Sequence, residues 1–578
     1  MLRSGAVTGS GRRAVALGLL VGIVTLLALS GGIAAPASAE HVQLDSADEE
    51  AGVEATVDEV PIDERATDPL ANETGTTSVV VRFPPMEPRD LADTDDDQVV
   101  EELREHASDE RVAFEAFAAG TDRLTIERTF WLANAVLVSV DADETDADEL
   151  LSVANVTDVH RNVVVATHSG AAGGGERAEG AGSVTESVDR HLDASTDRFQ
   201  VGTEPTGSHT DGLEAIDVPA AWERFDTRGA GATVAVIDTG VDPAHQDIEL
   251  AAWADFDENG TLVSDDVADA TDPDGHGTHV AGTVAGGEAS GTHIGVAPEA
   301  AIHGIDAFGE DGSATFAGVL AAMEHATADD DVDVLQMSLG ANGTFRGFIM
   351  PVRNARAAGS IVVAAAGNDG ENTSSSPANV YDSLAVGAVD TDENRTVAAF
   401  SSGEPIEAVE AFGEIPEDWP EQYVVPDVSA PGVAVVSAES GTTDGYVRRQ
   451  GTSMAAPHVS GVAALAIAAT DGRVEGDELH DLLVDTAVHP TGAAEPDARY
   501  GHGVVDGPAA VEAALAAAPP PEPVPTENGD ETDDEEPAAD DRVPGFGVVP
   551  AVVAVLVALL GSLAAVRDGG DRRRREGL

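Results

Sequence analysis

The sequence predicts an α/β protein, in which a large three-layer domain built on a mainly parallel sheet follows a small α+β domain. Three observations predict it. Across residues 211–517, short β-branched runs such as Thr233 to Ile237 and Ser360 to Ala365 alternate with helical patterns such as Gly318 to Ala326 and Met454 to Ala469. Such alternation marks strands buried on both faces and covered by helices. Across residues 77–167 the apolar period switches between strand and helix in the order β-α-β-β-α-β. Finally, 42% of the 578 residues are hydrophobic, enough to bury a sizeable core.

From the N-terminus, residues 1–39 read as an export signal. Arg3, Arg12 and Arg13 give a positive start, Ala14 to Leu29 an apolar stretch, and Ala37-Ser38-Ala39 a small-residue cleavage site. The adjacent Arg12 and Arg13 fit a twin-arginine signal, and an ordinary Sec signal stays open beside it. Residues 40–76 form an acidic spacer. In residues 77–167, Ser78 to Phe83 reads as a strand, Gln98 to Ala118 as an amphipathic helix, and Leu124 to Phe130 and Ala135 to Val140 as two strands. A short helix from Asp146 to Ala154 and a strand from Val159 to Val165 complete a ferredoxin-like order. Residues 168–210, rich in Gly, Ala, Ser and Asp, read as a linker.

Beyond the 211–517 domain, residues 518–543 turn to Pro, Glu, Asp and Thr, the composition of a solvated stalk. In residues 544–578, Gly547 to Val566 carries no charge and is long enough to cross a hydrocarbon core of about 30 Å. Arg572 to Arg575 then place the C-terminus inside the cell and the bulk outside. Asn72, Asn155, Asn259, Asn342, Asn372 and Asn394 each begin an Asn-x-Ser/Thr sequon, a glycan acceptor in an exported chain.

The charge narrows the setting. There are 106 Asp and Glu against 30 basic residues, all Arg, for a formal net charge of -76. Such a surface repels itself in dilute buffer. In molar salt the Debye length falls to about 3 Å and the repulsion largely vanishes, which points to a high-salt medium. The same charge argues against nucleic acid as a partner. With no cysteine, disulfides, thiol nucleophiles and zinc–thiolate sites are excluded.

Three local patterns carry chemistry. Val234 to Gly240 ends a strand on Asp238, and active sites gather at the carboxyl ends of strands in open α/β sheets. Asp274 to Gly282 puts His276 at the start of a small-residue helix, and Gly451 to Pro457 puts Ser453 at the start of another. A serine hydroxyl needs an imidazole to take its proton, and that imidazole needs a carboxylate to fix its tautomer. A helix start offers Ser453 free N–H groups for a developing oxyanion. Asn368, just after the Ser360 to Ala365 strand, offers a side-chain amide to the same oxygen. Each residue alone has a structural reading, as helix cap or satisfied polar group. The Asp…His…Ser order of the three together is what singles them out.

These blocks resemble those of the subtilisin-like serine proteases, the subtilase (peptidase S8) family, over about residues 211–517. The resemblance implies a subtilisin-like fold and a serine endopeptidase acting on protein or peptide substrates, with Asp238, His276 and Ser453 as the triad and Asn368 with Ser453 at the oxyanion hole. It implies that residues 77–167 are an inhibitory propeptide, with self-cleavage in the 168–210 linker. It places the peptide-binding segments around Gly309 and Gly312 and at Ser338, Leu339 and Gly340, with Gly367 and Ser375 at the first pocket, whose small neutral serines, Ser374 to Ser376, predict an apolar or broad preference. Residues 403–421 look like an insertion, expected to form a rim loop. Gln336 stands where Asn is usual, with no catalytic consequence expected. The loop Gly286 to Ile294 matches a calcium loop in length and Asp247 its carboxylate ligand, yet Ala289 replaces a usual Asn. Calcium therefore stays open, and no organic cofactor is implied. Pro544-Gly545-Phe546 resembles a PGF-type sorting signal of halophilic archaea, in which lipid replaces the span; a retained membrane span stays open. A monomer on the outer face of the membrane is expected. A metalloprotease using His276 and His279 lacks His-Glu-x-x-His, and a lipase would want Gly-x-Ser-x-Gly.

Overall fold

The computed structural model describes residues 69–167 and 205–520, apart from 72, 87–90, 92, 93, 95, 310–312, 330, 494 and 495. The export signal, most of the spacer and linker, nearly all of the stalk, the C-terminal span and Asn72 lie outside the described residues.

The first unit is an antiparallel sheet with its own helices. β1 (Thr76–Arg82), β2 (Leu124–Phe130), β3 (Ala135–Asp141) and β4 (Asp158–Arg161) stand in the order β2-β3-β1-β4, with α1 (Asp96–Glu110), α2 (Val112–Ala118) and α3 (Ala147–Leu151) in the connections. The β-α-β-β-α-β order forms, with two differences. The single helix read over Gln98 to Ala118 is divided at Arg111. The strand read from Val159 to Val165 is cut at Asn162, whose Oδ1 accepts the N–H of Ala317 at 3.0 Å. The chain then resumes as β5 (Val164–Thr167) in a different sheet.

Strand alternation shows what holds this unit. On β1, Val79 and Val81 join Phe114 and Leu150 in the unit's own core, while Val80 turns the other way, into the core of the large domain. On β3, Val136, Val138 and Val140 face inward and Leu137 joins Val80. Each such buried side chain contributes about 1.5–3 kcal/mol, so the second face of the small sheet depends on the large domain for its cover.

The large domain contributes β6 (Thr233–Asp238), β7 (Ala252–Phe256), β8 (Leu262–Ser264), β9 (Ala301–Asp306), β10 (Ala314–Thr315), β11 (Val334–Met337), β12 (Leu339–Asn342), β13 (Ile361–Ala365), β14 (Ser375–Ser376), β15 (Leu384–Val389), β16 (Glu404–Glu407), β17 (Gln422–Val425) and β18 (Val428–Pro431). Its central sheet runs β18-β15-β13-β11-β6-β9-β7-β8 and is parallel except for the β7–β8 pair. Every residue of β6 is buried, as its β-branched sequence suggests. Val234 and Val236 pack with Val280, Met454 and Val462, from helices α4 (His276–Ala285) and α7 (Thr452–Thr470). Ala235 and Ile237 pack on the opposite face with Leu320 and Val352, from α5 (Phe316–Thr327) and α6 (Ile349–Ala357). This is the three-layer arrangement expected.

Helix α7 is apolar and long enough to cross a membrane, but it is the buried centre of its layer. Residues 403–421 form more than a loop: they contain β16 and a short helix, Ala408–Phe412, and β16 pairs with β17, which follows directly, as a hairpin. Arg353 joins that hairpin to the body, reaching Asp382 and Asp418 at 3.0 Å each. Strand β6 has β9 on one side and β11 on the other, so the chain changes direction there and a crevice opens at its carboxyl end.

Candidate active site

Asp238 is the last residue of β6 and is fully buried. His276 begins α4, also fully buried, and its Nδ1 lies 2.6 Å from Asp238 Oδ1. The close approach depends on glycine. A Cβ at Gly277 would stand 2.0 Å from the Gly240 carbonyl and 3.1 Å from Asp238 Cβ, so only glycine lets the helix start abut the strand end. With Nδ1–H donated to the carboxylate, Nε2 is left as the basic nitrogen. That atom is buried and makes no hydrogen bond among the described residues.

A second carboxylate, which the sequence reading missed, shapes the turn. Asp272 Oδ1 accepts from Thr239 Oγ1 at 2.9 Å and Gly275 N–H at 2.8 Å, while Oδ2 accepts from Thr278 N–H at 2.8 Å and Thr278 Oγ1 at 2.6 Å. Burial raises its pKa to about 6, and the bonds from Thr278 oppose the shift. Thr239 Oγ1 also receives the N–H of Gly277 at 3.0 Å. Asp272 thus joins the strand end carrying Asp238 to the helix start carrying His276.

Ser453 lies in the first turn of α7, fully buried, and its Oγ donates to the Ser338 carbonyl at 3.2 Å. Helices α4 and α7 pack together, bringing the His276 and Ser453 elements to one crevice. Asn368 is held through its oxygen, since Oδ1 accepts Thr452 N–H at 3.0 Å and Thr452 Oγ1 at 3.1 Å. That leaves Nδ2 as the donor end of the amide.

The peptide cleft is marked by the chain itself. Strand β5 lies between β10 and β12, with Val165 opposite Ala314, Val164 opposite Thr315, Ala166 opposite Gly340 and Thr167 opposite Leu339. Leu339 and Gly340, which follow Ser338, thus line this extended segment. On the other wall Ala314–Thr315 does the pairing, and the Gly309 N–H donates to the Ser313 carbonyl at 2.9 Å. Gly312 lies outside the described residues. Gly367 and Ser375 abut, because a Cβ on Gly367 would meet Ser375 Oγ at 2.7 Å. Ser375 Oγ donates to Asn342 Oδ1 at 3.3 Å, and Ser374 Oγ donates to Glu404 of the inserted hairpin at 2.6 Å. Glu404 is a second group that sequence reasoning missed.

Two further side chains singled out by the sequence have defined surroundings. His279 Nε2 stands 3.0 Å from the Val435 carbonyl, and burial, then the nearby Arg449 charge, hold its pKa well below the usual range. It is a neutral core histidine. Asp247 Oδ1 accepts Ala289 N–H at 2.7 Å and Oδ2 accepts the Tyr446 hydroxyl at 2.5 Å. Calcium needs six to eight oxygen ligands, and among the described residues no three acidic, His or Cys groups gather as a metal cluster. In the structure, hydrogen-bond donors meet both oxygens of this carboxylate.

A three-layer fold on a mainly parallel sheet, with a paired acid and histidine at one strand end and a serine on an adjoining helix, is the kind of framework a serine hydrolase uses. Residues 229–503 match the Peptidase S8 subtilase family. The chain is 38% identical over 245 residues to subtilisin DY of Bacillus licheniformis, spanning 42% of this chain and 78% of that protein. It is 36% identical over 255 residues to subtilisin BL of Lederbergia lenta, spanning 44% of this chain and 82% of that one. With M-protease of Shouchella clausii the identity is 34% over 300 residues, 52% of this chain and 69% of the relative. The chain belongs to the subtilase family and is a serine-type endopeptidase.

Proposed function

We propose that this endopeptidase is made as a zymogen, exported, held at the outer face of the cell membrane and active at high salt, with Asp238, His276 and Ser453 as its triad. His276 Nε2 takes the proton of Ser453 Oγ as that oxygen attacks the scissile carbonyl carbon. The carbonyl π electrons move to oxygen, and the oxyanion receives Asn368 Nδ2–H and Ser453 N–H. Collapse breaks the C–N bond, His276 protonates the departing amine, and water then repeats the sequence to free the acid. The Ser453 hydroxyl rests on the Ser338 carbonyl, and a turn about χ1 toward His276 arms it; such bonds tighten when substrate binds.

The zymogen assignment is carried by one observation: residues Val164–Thr167 already lie in the cleft as an extended strand. An intramolecular strand there competes with any peptide that would bind by the same main-chain pairing. Residues 77–167 then act as an inhibitory propeptide, and processing falls in the linker after residue 167. The small neutral serines near Ser375 favour an apolar or broad preference on the acyl side. The export signal, the C-terminal span or PGF-type signal and the acidic surface support a surface-anchored monomer of a halophilic archaeon.

Ser453→Ala tests the core of this assignment. The variant should accumulate as an uncleaved chain and take no fluorophosphonate label, while wild type is processed and labelled on Ser453. Self-processing by Ser453→Ala, or label on another residue, would overturn the assignment.

A further inference from the structure

Gln336 is a buried amide among mostly apolar neighbours on one face of the central sheet. Its strand neighbour Val334 packs with Val234 and Val363 against helix α7, and Gln336 itself is fully buried. Burying a side-chain amide costs free energy unless both ends are bonded. Both ends are. Ser460 Oγ donates to Gln336 Oε1 at 2.5 Å, Gln336 Nε2 donates to Ser338 Oγ at 2.8 Å, and Ser338 Oγ donates to the Ser453 carbonyl at 2.8 Å. All four residues are fully buried.

The chain runs in one direction, and its last link answers a specific need. In an α-helix the carbonyl of Ser453 would accept the N–H of the residue four positions on. That residue is Pro457, inside α7, and proline has no N–H. The orphaned carbonyl belongs to the proposed nucleophile, and Ser338 supplies the missing donor. Ser338 touches Ser453 a second time, its own carbonyl accepting the Ser453 hydroxyl at 3.2 Å. The next two residues, Leu339 and Gly340, carry the strand that pairs with β5. Ser460, seven residues beyond Ser453 on α7, anchors the far end of the amide on the same helix face. One side chain therefore ties the helix of Ser453 to the strand that positions the peptide.

We propose that Gln336 is a positioning residue: through Ser338 it fixes the backbone of Ser453 against the peptide-binding strand, with Ser460 holding the amide in the donating orientation. The proposal rests on Ser453 being the nucleophile. It also replaces the expectation that Gln336 is without catalytic consequence. A longer side chain suits the task, since the amide must reach both a helix residue and a strand residue two positions on.

The test uses the processed enzyme and its Gln336→Met, Gln336→Asn and Ser460→Ala variants. The rate of fluorophosphonate labelling and the acylation rate with a chromogenic peptide ester are measured per titrated active site, alongside KM and the melting temperature. Gln336→Met should slow acylation about 10- to 100-fold, the scale of a small misplacement of reacting atoms, with KM within about twofold. Gln336→Asn should regain part of the loss. Ser460→Ala should act in the same direction but less, and the Gln336→Met/Ser460→Ala pair should be no slower than Gln336→Met alone. Wild-type acylation per site in Gln336→Met, with only the melting temperature lowered, would overturn the proposal. If that variant does not fold, wild-type acylation in both Gln336→Asn and Ser460→Ala overturns it equally. Peptide mapping of the label separates the two levels: label away from Ser453 defeats the triad assignment, whereas label on Ser453 at an unchanged rate defeats only the role of Gln336.

Discussion

Leu132 donates its backbone N–H to the carboxylate of Glu324 over 2.9 Å, and Trp131 N–H bonds the same oxygen. Glu324 sits on α5 of the large domain, so one acid caps the turn between β2 and β3 of the small one. Asn354 adds a second tie, its Nδ2 donating to the Leu132 carbonyl at 2.7 Å. Burial raises the Glu324 pKa from 4.5 to about 7, with the Leu132 bond and Arg128 opposing the shift. The sign follows from proton counting. Between about pH 4.5 and 7 the docked state holds a proton on Glu324 that the undocked state has released, so docking weakens as pH rises through that window. In the uncleavable Ser453→Ala background, Glu324→Gln should flatten this part of the pH dependence of thermal unfolding. Identical pH slopes for the two proteins would contradict it.

Asp272 gathers four donors from the strand end and helix start that carry Asp238 and His276. Asp272→Asn keeps the shape but turns an amide N–H₂ toward some of those donors, leaving buried groups unpaired. Each such loss costs about 1–3 kcal/mol. The variant should melt earlier and lose kcat by at least about tenfold, with KM little changed, because the damage falls on the geometry of the His276 pair and spares the peptide strand. Steady-state kinetics with a peptide substrate checks the split; a raised KM at constant kcat would refute it.

Gly277→Ala probes the same junction sterically. The added methyl would sit 2.0 Å from the Gly240 carbonyl, a separation that forces α4 away from the end of β6. The Asp238–His276 bond of 2.6 Å is what that movement breaks. Fluorophosphonate labelling should slow about 100-fold or more, in protein that still shows native-like circular dichroism. Labelling near the wild-type rate would mean that the helix start can yield without disturbing the pair.

Much of the site was legible in the sequence because its chemistry is carried by local patterns. Asp238 ends a β-branched run, and His276 and Ser453 each begin a small-residue helix, so their elements were readable before their contacts. Asp272 was not legible: in a chain with 106 acidic residues, one more Asp on a turn carries no signal until its four donors are seen. Glu324 left a fainter trace, as the single acid in the apolar helix Phe316–Thr327. The division of the last small-domain strand at Asn162 depends on a bond to Ala317, 155 positions away, which no local pattern contains. The wall residues Ala314 and Thr315 were missed for the opposite reason, since a two-residue strand is too short to show a period.

Salt should decide stability more than any single substitution. The formal net charge is -76, and most carboxylates have no cation to answer them: Arg353, shared between Asp382 and Asp418, is an exception. At an ionic strength of about 0.01 M the Debye length is about 30 Å, so charges across the whole surface repel; at about 1 M it is about 3 Å and only neighbours do. Potassium chloride and sodium chloride should therefore raise the melting temperature steeply up to molar concentration, and to similar extents if screening is the cause. Dialysis to millimolar salt should unfold the processed enzyme. A melting temperature independent of salt, with activity retained at low ionic strength, would mean that the acidic surface is tolerated by the core packing alone.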